Sequence, residues 1–170
     1  MDAAPRLLLD FIDDADFAPW SPVDDVVMGG VSRSEFTRAA PSVARFAGLV
    51  SLDFGGGFAS CRTRPRTWAT TAAHAFVLRV RGDGKTYKFT VRTDDGFDGV
   101  QYQARFTPAA GEWSDCVLPC ADFVASFRGR PVRGAPPLDP ARVRALGFMI
   151  SEKQAGPFEL QVDWIAVVDR

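Results

Sequence analysis

Short runs of alternating apolar and polar residues, each cut off by glycine or proline, leave this chain no stretch long enough for a crossover helix. About nine or ten such runs follow one another, with one or two short helical turns among them. Parallel strands need crossover helices, so the expectation is an all-β fold, an antiparallel β-sandwich or jelly roll. A chain of 170 residues fits one core, since domains commonly hold about 100–200 residues. No internal repeat or low-complexity linker divides it, and residues 1–170 are read as a single domain.

The runs themselves are legible. Residues 6–12 (RLLLDFI), 32–38, 43–53 (VARFAGLVSLD) and 58–63 (FASCRT) read as strands, with the triple glycine 55–57 as a turn. Residues 75–81 (AFVLRVR) and 85–93 (KTYKFTVRT) flank Gly82-Asp83-Gly84, and this spacing predicts a β-hairpin. Residues 94–99 (DDGFDG) read as a solvated turn before strands at 100–106 and 113–118, and residues 126–140 as an irregular surface crossover. Asp139 followed by Pro140 marks a short helix start. Strands at 147–151 and 158–168 are joined by the polar turn 151–157, read as a hairpin connection, and Asp163 is buried by pattern in the last of them.

Composition narrows the function. A formal net charge of −1 gives no general attraction to nucleic acid. The apolar runs fall far below the roughly 18 residues of a membrane span. Three cysteines, Cys61, Cys116 and Cys120, form no CxxC pair and read as reduced thiols. The first residues carry no secretory signal, so the expected setting is the bacterial cytoplasm, or the mitochondrial matrix after loss of a presequence. His74 is the sole histidine, which disfavours Ser-His-Asp or Cys-His catalysis and a tetrahedral zinc set. Gly55–Gly57 matches neither a phosphate loop nor a dinucleotide fingerprint. No catalytic residue is assigned, and the chain is expected not to be an enzyme.

Residues 20–36 (WSPVDDVVMGGVSRSEF) concentrate the unusual demands: an aromatic, a paired carboxylate, two glycines, then serines alternating with Val31, Arg33 and Glu35. A structured loop feeding a strand accounts for them. Trp20, Val23, Asp25, Val27-Met28-Gly29-Gly30-Val31-Ser32 and Ser34, then Phe46-x-Gly48-x-Val50-Ser51-Leu52 and Gly56-Gly57-Phe58-Ala59-Ser60-x-Arg62, form a series of motifs. Arg79-Val80-Arg81-Gly82-Asp83-Gly84-Lys85, Tyr102-Gln103-Ala104-x-Phe106, Leu138-Asp139-Pro140 and Asp163-Trp164-Ile165 extend it. Over nearly its whole length the chain resembles the complex I intermediate-associated protein family. Asp24 departs from it, standing where that family often has Asn.

The resemblance implies a galactose-binding-like β-sandwich. In mitochondrial members it implies an assembly factor that holds intermediates of the respiratory NADH:ubiquinone oxidoreductase. The expected function is therefore a non-enzymatic, chaperone-like binding module, its partner a protein, namely respiratory complex I subunits or assembly intermediates. The loop 24–34 and the strand 58–62 would form its surface. The residues expected to take part are Trp20, Asp25, Met28, Gly29, Gly30, Ser32, Arg33, Ser34, Phe58, Ser60 and Arg62, with Lys153 and Gln154 from the turn 151–157. Met28 and Phe58 would be anchors or else core. The alternative is a carbohydrate-binding-module-like sugar binder with Trp20, Trp68, Trp113 or Phe97 as its platform. Such sandwiches often hold a structural calcium between first and last strands, which points to Asp10 and Asp163; no other cofactor is expected.

Overall fold

Alternation does produce pleated strands here, and they stack as two layers. The structure, a computed structural model, describes residues 3–170, with only the backbone of Val27 and Met28. In chain order the strands are β1 (Arg6–Leu9), β2 (Trp20–Pro22), β3 (Arg33–Ala40), β4 (Val43–Val50), β5 (Ala59–Thr63), β6 (Ala73–Arg81) and β7 (Tyr87–Arg92). They continue as β8 (Gln101–Phe106), β9 (Trp113–Pro119), β10 (Val124–Phe127), β11 (Arg130–Pro131), β12 (Ala145–Ile150) and β13 (Gly156–Asp169).

One sheet has the order β3-β4-β13-β6-β9, with β1 also on β13; the other runs β11-β10-β8-β7-β12-β5-β2. All these strand pairings are antiparallel, and helix is confined to α1 (Asp14–Phe17) and single 3-10 turns. The expected antiparallel sandwich is therefore the fold. Its core lies between the inward faces, where Phe76 meets Phe89 at 5.2 Å and Phe89 meets Phe148 at 5.4 Å between ring centres.

The predicted hairpin at 75–93 is not formed. β6 pairs with β13 and β9, whereas β7 pairs with β12 and β8 in the opposite sheet. Alternation tells which residues face inward but not which strand lies alongside, and both strands fill the core by facing one another across it. The Gly82-Asp83-Gly84 turn is built for that crossing: a Cβ on Gly82 would lie 2.4 Å from Pro108 Cγ. Asp83 accepts hydrogen bonds from the Lys85 N–H, the Tyr87 hydroxyl and the Glu159 N–H, tying the turn to β13. The turn 151–157 likewise crosses between sheets rather than closing a hairpin, since β12 and β13 belong to different layers.

Three smaller expectations also change. The first strand ends at Leu9, because Phe11 takes a left-handed backbone (φ 57°) as the chain turns. Residues 126–140 include a short pairing of β10 with β11. Asp163 is half-buried at a register shift between Val162 and Trp164 rather than enclosed.

Candidate functional site

Asp24 and Asp25 fasten the two layers together along one edge. The Val23 N–H donates to the Ser60 carbonyl at 2.8 Å and the Asp25 N–H to the Phe58 carbonyl at 3.3 Å, which lays this loop against β5. Asp25 is 1% exposed. Its carboxylate accepts the Ser32 N–H (2.9 Å), the Ser32 hydroxyl (2.5 Å), the Gly57 N–H (2.8 Å) and the Phe58 N–H (3.3 Å). The Ser32 oxygen in turn accepts the Ser51 N–H at 2.9 Å. One side chain thus joins the approach to β3, the exit of β4 and the start of β5.

Close packing enforces the arrangement. A Cβ on Gly30 would sit 2.4 Å from Asp25 Cγ and one on Gly56 2.6 Å from Asp25 Oδ2. Gly29, at φ 89°, closes the 3-10 turn Asp25–Met28 in a left-handed conformation open to glycine. Burial pushes the Asp25 carboxyl up, but the hydrogen bonds from Ser32, Gly57 and Phe58 together outweigh it and hold it below the ordinary carboxylate range. For Asp24 the balance is reversed. It accepts the Ser34 N–H (2.9 Å), the Ser34 hydroxyl (2.7 Å) and the Ser60 N–H (3.0 Å), yet burial prevails and raises its carboxyl. Since Ser34 lies on β3 and Ser60 on β5, Asp24 bridges one sheet directly to the other.

What this clamp displays is apolar. Val26, Val31, Leu52 and Phe54 stand exposed on the two loops that Asp25 holds. Phe54 is 78% exposed and has a left-handed backbone at φ 56°, ψ 31°. The sequence reading included Val26 and Val31 in the loop 24–34 without singling them out, placed Leu52 in the strand 43–53, and passed over Phe54 beside the turn 55–57. The available signal was an aromatic placed directly before three glycines, where no regular element could bury it.

Beside the clamp, the outer face of the seven-stranded sheet forms a groove of about 610 Å³. Ser60 and Arg62 of β5, Met149 of β12, Lys88, Thr90 and Arg92 of β7, and Gln101 and Gln103 of β8 face it, with Phe58 and Phe97 at its sides. Arg62 donates to the Phe97 carbonyl at 2.6 Å and lies 4.6 Å from that ring's centre. Burial, together with the charge of Arg92, lowers the Arg62 guanidinium from its ordinary value. Burial lowers Lys88 as well, partly offset by Glu152.

Of the expected surface residues, Phe58, Ser60 and Arg62 do line this groove, whereas Asp25, Gly30 and Ser32 are buried scaffold behind the loop. Ser34 is half-buried in the Asp24 network, Gly29 is exposed, and Arg33 is exposed on β3 in the other sheet. The Met28 side chain lies outside the described residues. Trp20 is a core residue: 7% exposed, it stacks on Phe36 with ring centres 4.3 Å apart and on Phe148 at 5.7 Å. Trp68 is buried with its indole N–H on the Arg144 carbonyl, and Trp113 lies on β9 of the opposite sheet. No tryptophan platform therefore faces the groove; Phe97 does.

Lys153 is exposed at φ 57°, and Gln154 uses its amide to accept the Thr86 N–H and donate to the Thr86 and Ser151 carbonyls, locking the crossing. Asp10 caps the Ile12 N–H, and Asp163 lies 3.9 Å from Arg79. No cluster of three or more His, Cys, Asp or Glu able to hold a metal occurs among the described residues, so the calcium expected at Asp10 and Asp163 has no evident ligand set.

The family pattern of complex I intermediate-associated protein 30 matches residues 9–162. An uncharacterised protein of Schizosaccharomyces pombe is 30% identical over 87% of this chain and 77% of its own length. The mitochondrial complex I intermediate-associated protein 30 of Drosophila melanogaster is 28% identical over 87% of this chain and 57% of its own. That of Neurospora crassa is 28% identical over 85% and 59%. The chain thus spans little more than half the length of the fly and Neurospora relatives. Both carry a mitochondrial designation, and the expected bacterial cytoplasm finds no support among them.

In three dimensions the chain is similar to the family 11 carbohydrate-binding module of the cellulosomal cellulase Lic26A-Cel5E of Clostridium thermocellum. The TM-score is 0.72 with 13% identity, over 99% of this chain and 96% of that one. For the Clostridium thermocellum family 11 module in complex with a β-1,3-1,4-mixed-linked tetrasaccharide it is 0.69, again at 13% identity, over 99% and 98%. At that identity the likeness is one of fold.

Proposed function

The chain belongs to the complex I intermediate-associated protein 30 family, and from that premise we propose that it is a non-enzymatic, chaperone-like module. Its partner is a protein, a subunit or assembly intermediate of the respiratory NADH:ubiquinone oxidoreductase, and it acts where that enzyme is assembled. Phe54 carries this reading. A large aromatic held in solvent on a left-handed backbone costs free energy twice in the isolated chain, through exposure and through strain, and a partner that buries it offsets both. Val26, Val31 and Leu52 extend the same apolar surface.

Reactive groups are poorly supplied. The thiols of Cys61, Cys116 and Cys120 are all pushed up by burial, away from the thiolate form, and the oxygens of Asp25 are taken up by hydrogen bonds. The test is co-purification from cells under mild detergent. Identified subunits of the oxidoreductase should accompany the wild-type chain and be lost with Phe54→Ser combined with Val26→Ser, whose melting temperature should stay near wild type. Recovery of no such subunit contradicts the proposal. A sugar-binding reading rests on the groove and Phe97, and binding on an array of neutral glycans would support it.

A further inference from the structure

The groove on the seven-stranded sheet carries more positive charge than its surroundings neutralise, in a chain whose net charge is −1. Four cations face it, Arg62, Lys88, Arg92 and Arg128, against two carboxylates, Asp98 and Glu152. Asp98 is occupied by Arg128 at 2.6 Å, and Glu152 by Arg105 at 2.8 Å with Lys88 at 3.9 Å. Among the described residues Arg92 pairs with one carboxylate, Asp94 at the rim, at 3.1 Å, and its Nε is buried with no acceptor. Arg62 makes no ion pair among the described residues. Both guanidiniums also donate to one neutral oxygen, the Phe97 carbonyl, at 2.6 and 3.2 Å.

The floor beside Arg62 is a close-packed glycine. Gly147 of β12 lies in register between Arg62 of β5 and Thr90 of β7, and a Cβ there would fall 2.5 Å from Thr90 Oγ1. Lys88, Thr90 and Arg92 present side chains to the groove at every second residue, a repeat of roughly 6.6 Å that matches alternate side chains of an extended peptide.

We propose that this groove seats an extended acidic segment of the protein partner, with Arg62 receiving a carboxylate beside Gly147 and the buried Arg92 adding positive charge behind it. The assignment rests on the reading of the chain as a protein-binding module, and it adds a second contact, electrostatic in character, beside the apolar loops. Charge complementarity of this kind chiefly sets orientation and rate of encounter, and it weakens with salt.

The experiment uses the purified chain and fluorescein-labelled hexaglutamate, hexaglutamine and hexalysine peptides, followed by fluorescence anisotropy. Hexaglutamate should bind about tenfold more tightly than either of the others and lose affinity as salt is added. Arg62→Gln should weaken it about fivefold or more at an unchanged melting temperature, with Arg62→Lys restoring part of the loss. Arg81→Gln, which removes an exposed cation on β6 of the opposite sheet, should leave it unaltered. Equal binding of the glutamate and glutamine peptides, or indifference to Arg62→Gln, overturns the proposal. So does an oligogalacturonate that binds more tightly than hexaglutamate with the same dependence on Arg62, because the occupant would then be an acidic sugar. Because Phe54-dependent co-purification is measured separately, failure in the groove is distinguishable from failure of the binding role itself.

Discussion

Asp25 satisfies four donors from two separate stretches of chain, Ser32 and Gly57–Phe58, so its removal strands several at once. Asp25→Ala should destabilise the fold by about 2–4 kcal/mol, measured by denaturant unfolding, because the Gly57 and Ser32 N–H groups lose their acceptor in a buried place. Its carboxyl sits lower in the folded state than in the unfolded chain. The stability it contributes is therefore present above the unfolded value and lost as pH falls through the folded one. Asp24 has the opposite sign: with a raised folded value, its contribution declines as pH rises through the window between its unfolded and folded values. Replacing it by the neutral isostere, Asp24→Asn, should therefore make the variant more favourable relative to wild type near neutral pH than near pH 4. Unfolding midpoints that kept the same difference at both pH values would refute that assignment. The loop's importance was legible in its glycines and paired carboxylates. Whether Asp25 meets solvent was not, because that depends on the N–H groups of Gly57 and Phe58, supplied by a segment distant in sequence.

Among the elements, the meeting of β3 and β4 is the least tolerant of added volume. Gly48 pairs with Ser34, and a Cβ on it would lie 2.1 Å from the Arg33 carbonyl oxygen and 2.8 Å from Ser34 Cα, both backbone atoms. Gly48→Ala should cost about 3 kcal/mol in denaturant unfolding, whereas Gly111→Ala, strained at φ 72° but with no neighbour within 4 Å, should cost less. Strand existence was readable from alternation, as β6, β7, β12 and β13 demonstrate. Partnership was not: Gly82-Asp83-Gly84 has the residues of a tight hairpin, yet Asp83 spends its carboxylate on Tyr87 and Glu159 and carries the chain between layers. Trp20 illustrates the same limit, since a tryptophan near a loop looks like a ligand platform until Phe36, on another strand, covers it.

As a whole molecule the chain offers two neighbouring surfaces of different character, an apolar pair of loops and a cationic groove, set on one rigid sandwich. Asp24 and Asp25 connect them physically, because the segment they anchor to β5 runs from Phe58 beside the loops to Ser60 in the groove. Such a layout supports the proposed binding role. No helix among the described residues is long and apolar enough to cross a membrane. The most direct measurement is native gel electrophoresis of respiratory membranes from cells lacking this protein, complemented with either wild type or the Phe54→Ser, Val26→Ser double variant. The account predicts that wild type restores full-size NADH:ubiquinone oxidoreductase while the variant, present at equal abundance, leaves a partial assembly to accumulate. Normal assembly in the uncomplemented cells, or full rescue by the variant, would contradict it.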